Sequence, residues 1–306
     1  MAADNIERSY GDSSRKEDVV LNAIEILTAR ETQIFNMLGK TEAIDTVHSY
    51  LTDTLETAAS AAVAESGDYT AGALTTPTRL TNIVENVAKP FKVSRTQQRI
   101  EHYHGKNELE RQTEKALMNW ANSAEFDLVR GTLTSGASGT APTMSGIIEA
   151  TSKSTNHTSH TSAVAWSASI LDGLMQDNWS NSNGDVATDL FLGAALRADT
   201  DAFTQKTNMV VNAPGATTIL RTVSSYETAF GTLMVHKHRF VQQAGDATAR
   251  ALAINPEKLK VSFLEKPFID TGLARSGDYD FRAVVGKFTL EVRNQDSCWY
   301  ADGFLL

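Results

Sequence analysis

Six of the seven histidines in this 306-residue chain come in close pairs, His102 with His104, His157 with His160 and His236 with His238, and such pairs are where a metal ion would first be sought. On a β-strand, residues two apart share a face, so His236 and His238 can both reach one ion. A metal site still needs a third ligand, and no acidic residue stands at a recognised spacing from these pairs. The simpler expectation for His236 and His238 is two polar residues on the wet face of an edge strand, and the other pairs make no stronger case. Nucleophiles fare no better. Ser138 lies in Gly-Ala-Ser-Gly-Thr, where the glycine spacing suits a loop and not a nucleophile elbow. The chain has no phosphate loop, no dinucleotide fingerprint and no His-Glu-x-x-His helix. Asp12 with Asp18 and Glu108 with Glu110 are paired carboxylates, but both pairs sit where helix starts attract acidic residues. Cys298 is the only cysteine, which excludes an intrachain disulfide and a thiolate cluster and suits a reducing compartment. No catalytic, cofactor-binding or metal-ligating residue is assigned, and no enzyme is expected.

The elements that would have to position any site are organised around one stretch, Asn107 to Arg130. Asn107 is placed to cap a helix, Glu110 stands in capping-box position, and Gly131 sits where a left-handed C-terminal cap belongs. Leu109, Thr113, Ala116, Leu117, Trp120, Ala121, Ala124 and Leu128 recur on one face, while Glu110, Arg111, Glu114, Lys115, Asn122 and Glu125 take the other. At 1.5 Å per residue the helix spans roughly 36 Å, the length of a strut.

Before it, residues 46–94 read as a two-limbed arm. Val47, Tyr50, Leu51 and Leu55 lie on the outgoing limb, Leu80, Ile83, Val84, Val87, Phe91 and Val93 on the return, and a small-residue tip spans 58–72. Such an arm is marginal in isolation and should rest on another surface, most simply a second copy of the chain. Residues 1–16 are polar and aperiodic. Ser14 can cap a helix opened by Glu17 and Asp18, and a second short turn over 31–38 ends at Gly39. After the strut, 131–146 is a Gly/Ser/Thr-rich connection, followed by a polar surface run around His157 and His160. Helices at 169–179 and 194–205 alternate with strands at 189–192, 219–226 and 231–241, as in an α/β layer. Residues 283–294 alternate, with Val284, Phe288, Leu290 and Val292 on the face suited to the strut.

Composition sets bounds. The length favours two subdomains, and 41% hydrophobic with 21% charged residues is ordinary for a soluble globular chain. A net charge of −9 without a basic cluster argues against electrostatic binding of nucleic acid. The N-terminal residues lack the apolar core of a signal peptide, and no stretch approaches a membrane span.

The series Leu38-Gly39-Lys40, Ala43, Thr46, His48 and Thr52-Asp53-Thr54-Leu55, then Pro77-Thr78-Arg79-Leu80-Thr81-Asn82, Val93-Ser94-Arg95-Thr96-Gln97 and Glu114-Lys115-Ala116-Leu117, resembles the major capsid proteins of tailed bacteriophages. It is most similar to a branch known from podoviruses and related prophages. The resemblance is dense from Met37 to Ile148 and returns at 273–278 and 290–294, while 150–250 carries little of it.

The resemblance implies an α+β Hong Kong 97-type capsid fold. Its parts would be an N-terminal arm (1–44), an extended β-hairpin loop (45–95), a peripheral domain (96–145 and 250–306) with spine helix 107–130, and an axial α/β domain (146–249). It implies a structural subunit that self-assembles as hexamers and pentamers into the icosahedral head shell around double-stranded DNA. Such a subunit is made in the host cytoplasm and ends in the virion. Implied partners are further copies of the chain, a separate scaffolding protein because too few residues precede the arm, a portal and, in some capsids, a decoration protein. DNA would be enclosed without sequence-specific binding, and no membrane or cofactor is involved. Some relatives cross-link a loop lysine to a neighbouring asparagine; here Lys89 and Lys92 lie near the arm's base and none sits at its tip, so no cross-link is expected. Two alternatives remain: an encapsulin-type shell holding a cargo enzyme, and a metal-dependent enzyme using the His236 strand.

Overall fold

The computed structural model describes residues 32–56, 59–60, 62–63, 65, 67, 74–100, 107–182, 184–203, 224–243, 245–274 and 277–306. The helix expected after Ser14, the pairs Asp12 with Asp18 and His102 with His104, most of the tip at 58–72 and residues 219–223 of an expected strand lie outside the described residues.

Helix α3, Glu108–Arg130, is the strut. It contains no glycine or proline, and the Asn107 side chain accepts a hydrogen bond from Leu109 N at 3.0 Å, which satisfies one orphan donor at its start. Three expectations about it are corrected. Gly131 has φ −51°, so it is no left-handed cap. A Cβ there would lie 2.4 Å from the Asp127 carbonyl oxygen and 2.8 Å from that of Met144, so glycine is needed for close approach and not for handedness. Leu117, expected inside, is 40% exposed, whereas Glu125, expected outside, is fully buried. Val129 is buried too, so the inward stripe is rotated from the expected one toward Glu125 and Val129.

The stripe packs on a four-stranded sheet. Its order is β1 (Gly39–Glu42), β10 (Leu259–Asp270), β11 (Tyr279–Val292) and β4 (Glu85–Ser94), with β1 parallel to β10 and the other pairs antiparallel. Val284, Phe288 and Leu290 are fully buried on the α3 side, as the alternation required. Trp120 donates its indole N–H to the Val87 carbonyl at 2.9 Å. Its ring meets Phe288 at 5.8 Å and Phe35 at 6.2 Å, both edge to face. A Cβ at position 286 would come within 2.5 Å of that ring, so Gly286 makes room for Trp120.

Phe35 belongs to helix α1, Gln33–Met37. With β1, it sets the later part of the expected N-terminal arm (1–44) against the body. Ile34 and Leu38 are buried in the same cluster as Trp120.

The second sheet has six strands in the order β5 (His157–Val164), β12 (Trp299–Phe304), β9 (Ala249–Ile254), β6 (Asp189–Leu192), β8 (Gly231–Lys237) and β7 (Ser225–Thr228). Helix α5, Ala168–Asn181, and helix α6, Ala194–Phe203, help enclose a second core containing Trp166, Leu171, Met175, Trp299 and Phe304. Between α3 and this sheet come the connection 131–146 and helix α4, Ile147–Ser152. The run around His157 is not plain polar surface but strand β5, paired in parallel with β12.

The arm is strand β2, Val47–Thr52, antiparallel to β3, Thr78–Ile83, from Val47 opposite Ile83 to Thr52 opposite Thr78. The return limb divides at Val84: β3 stays in the arm, while β4 joins the body beside β11.

Candidate functional site

The histidines in the described residues have separate surroundings. His236 Nε2 lies 2.9 Å from Asp189, and its ring stacks on Phe191 at 5.0 Å. His238 Nε2 meets Glu125 at 2.8 Å, both side chains being fully buried. The two histidines therefore diverge to different carboxylates. Strand β8, moreover, is flanked by β6 and β7 and is not an edge, so the wet-face expectation for this pair is corrected. His157 stacks on Tyr300 at 5.3 Å, and His160 meets Phe304 edge-on at 5.2 Å. Among the described residues, no group of three or more His, Cys, Asp or Glu side chains is placed to hold a metal ion. Ser138 sits in a loop folded by the bridges Thr134 to Thr143 and Ala137 to Thr140, with Gly136 and Gly139 at φ 73° and 83°. That is turn geometry. Cys298 is buried, and burial pushes its thiol upward, away from a reactive thiolate. Glu108 binds Arg111 in the first turn of α3, at 2.8 Å from its Nε.

What the histidines serve is joining. Glu125 Oε1 accepts from Ile34 N at 2.8 Å and Oε2 from Phe35 N at 2.7 Å, in addition to the contact with His238. One buried carboxylate thus ties α1, α3 and the turn after β8 together. A buried charge is tolerated only with such partners. Arg130, in the last turn of α3, closes the same junction by donating to the Phe240 carbonyl at 2.6 Å and pairing with Asp246.

The arm too is anchored at its root by polar side chains. Alternation turns His48 and Tyr50 of β2 toward β11 and leaves Val47 and Leu51 facing out. His48 Nε2 lies 3.4 Å from Glu291. Val292 N donates to the Tyr50 hydroxyl at 3.2 Å. On the other limb, Asn82 donates to the carbonyls of Leu290 at 2.8 Å and Ser145 at 3.1 Å, and accepts from Ser145 N at 2.9 Å. Thr289 and Glu291, on the second face of β11, are both buried. Burial raises the Glu291 carboxyl, but hydrogen bonds and charge from Arg293 and His48 outweigh it and hold the group below its usual range. Beyond the root, among the described residues, Leu51 is 68% and Leu55 98% exposed.

The arm is thus fixed at its root while Leu51 stays exposed. Comparison with known families identifies its setting, because the family model for the SU10 major capsid protein matches residues 8–303. The chain belongs to that family of major capsid proteins. Three solved structures share the capsid subunit's fold. The capsid of a native GTA particle is 10% identical, with a TM-score of 0.68, and the match covers 100% of this chain and 99% of that one. The capsid of Myoviridae phage XM1 is 11% identical at TM-score 0.62, over 94% and 97%. The holo-SrpI encapsulin complex of Synechococcus elongatus PCC 7942 is 10% identical at TM-score 0.61, over 94% and 92%. At such identities the likeness concerns the fold, which is the Hong Kong 97-like capsid fold. Comparison with curated proteins finds no match. Lys92 lies 4.8 Å over the Tyr279 ring and 4.9 Å over that of Phe281, so it is engaged on its own subunit. No helix among the described residues is long and apolar enough to cross a membrane.

Proposed function

We propose that this major capsid protein is the non-enzymatic, shell-forming subunit of a tailed-phage head. It assembles as hexamers and pentamers into an icosahedral shell around double-stranded DNA. The observation that carries this reading is the arm. Its root is fixed by the hydrogen bonds of His48, Tyr50 and Asn82, while Leu51 on the two-stranded ribbon and Leu55 just past its end stay bare. Two strands alone are marginal in water, and leaving those side chains wet forgoes roughly 1.5–3 kcal/mol each, so a second copy of the chain is the natural cover. The net charge of −9 suits a lining that encloses DNA without gripping it. Assembly in the host cytoplasm with a separate scaffolding protein and a portal, residence in the virion, and descent from the podovirus-like branch belong to the same reading.

Electron microscopy of the expressed full chain tests it. Closed shells or hexameric and pentameric capsomers are expected, and a persistent monomer in the presence of a co-expressed scaffold would refute the assembly reading. The encapsulin likeness keeps one competing reading in view, a compartment around a cargo enzyme. Shells that carry one co-purifying enzyme and no packaged genome would favour it.

A further inference from the structure

At the root of the arm a groove of about 720 Å³ runs between β4, the outer side of α3 and the turn after β8, lined in part by Glu85, Lys89, Asn122, Phe126, Asp127 and Arg239. Glu85 opens β4, two residues beyond the last residue of β3, so it stands where the arm passes into the body. Its Oε2 accepts a hydrogen bond from Met144 N at 3.2 Å. The next residue of the same connection, Ser145, is clamped from both sides by Asn82. Asn82 and Glu85 together therefore clip the arm's root to the segment that links α3 to the six-stranded sheet. That segment is tightly seated. Gly131 N donates to the Asp127 carbonyl at 2.7 Å, and Gly146 N to that of Gly131 at 2.8 Å. A Cβ at 146 would lie 2.6 Å from Gly131 N, so the segment cannot shift without disturbing α3's end.

We propose that Glu85 is a proton-operated clip at the root of the arm: neutral, it seats the arm's root on the connection, and ionised, it sets a second negative charge in Asp127's groove and loosens that seating. The charged groups facing it are Asp127 from α3, Lys89 from its own strand and Arg239 from the turn after β8. Lys287, next to Glu85's cross-strand partner Phe288, is engaged instead by Glu265 at 2.8 Å. Burial first, and then the charge of Asp127, push the Glu85 carboxyl up to about 7, against the opposing pull of the Met144 amide. Asp127 is likewise raised by burial, with Lys89 opposing. A neutral carboxyl still accepts from Met144 through its carbonyl oxygen, so protonation removes the repulsion without removing the hydrogen bond.

The sign follows from linkage. The seated state holds a proton that the opened state releases between roughly 4.5 and 7, so seating is favoured on the acid side and weakens as pH rises through that window. The inference concerns the folded chain itself and does not rest on the shell reading.

Amide exchange of Met144 and Ser145 in the full chain, corrected for the intrinsic pH dependence of exchange, tests it. Protection should fall by about tenfold between pH 5 and 8, a linkage effect already reduced for the groove's partial solvation. Glu85→Gln should abolish that dependence and hold the acid-side protection throughout. Asp127→Asn should move the midpoint to lower pH, and a titration of the Glu85 carboxyl by NMR should follow the same shift. PH-independent protection in the unmodified chain, an unchanged profile in Glu85→Gln or an unmoved midpoint in Asp127→Asn would each overturn the proposal.

Discussion

Trp120 and Leu51 are both large apolar residues, yet Trp120 is 3% exposed and Leu51 68%. Around Trp120 the body supplies Phe35, Phe288 and the space left by Gly286, so the subunit completes that packing from its own sequence. Around Leu51 the described residues supply the partner strand and one wall of an open polar groove, and the hydrogen bonds that hold the arm lie at its root. On the proposed reading, stability and assembly are lodged in different regions: the body carries the free energy of folding, and the arm carries apolar area left over for contact.

The strongest way to break this comparison is Trp120→Ala. The void under α3 should lower subunit stability by about 3–5 kcal/mol in denaturant titrations. An unchanged midpoint would mean that the body's core lies elsewhere. Glu125→Ala comes next and sharpens the contrast between buried and wet polar contacts. It strands two backbone N–H groups and His238 in a dry site, with an expected loss of about 3 kcal/mol and early exchange of the Ile34 and Phe35 amides. Equal protection of those amides in the variant would show that α1 is held by apolar packing alone. The smallest effect on folding belongs to Leu51→Ser, within about 0.5 kcal/mol of the unmodified chain. The same change should reduce the yield of shells or capsomers seen by electron microscopy. Normal assembly would break the comparison from the arm's side.

Much of the fold was legible where a single period ran long. The extent of α3, the alternation of Val284, Phe288 and Leu290, and the helices near 169–179 and, over its described residues, 194–203 match the structure, because burial on one face writes a regular trace. The arm's limbs were legible too, but not the break at Val84, since β3 and β4 have the same strand texture and only tertiary pairing separates them. Strand β5 was hidden because a polar edge strand carries no apolar rhythm. The roles of Glu125 and His238 were hidden more deeply. A buried carboxylate reads as solvent-facing until its partners, which lie far apart in sequence, are brought to it; the one available hint was Val129, which widens the apolar stripe toward Glu125.

The position of β12 between β5 and β9 in the six-stranded sheet bears on the order of events during synthesis. Tyr300 pairs with both His157 and Leu252, so β5 and β9 have no direct ladder between them and wait for a strand translated after both. Closing such distant pairings is slow, and Trp299 and Phe304, which fill the second core, arrive with the same strand. The arm is translated long before them. A nascent chain therefore displays Leu51 and Leu55 while half of its body is still open, and a partner that covers the arm early would act as a chaperone as much as an assembly factor.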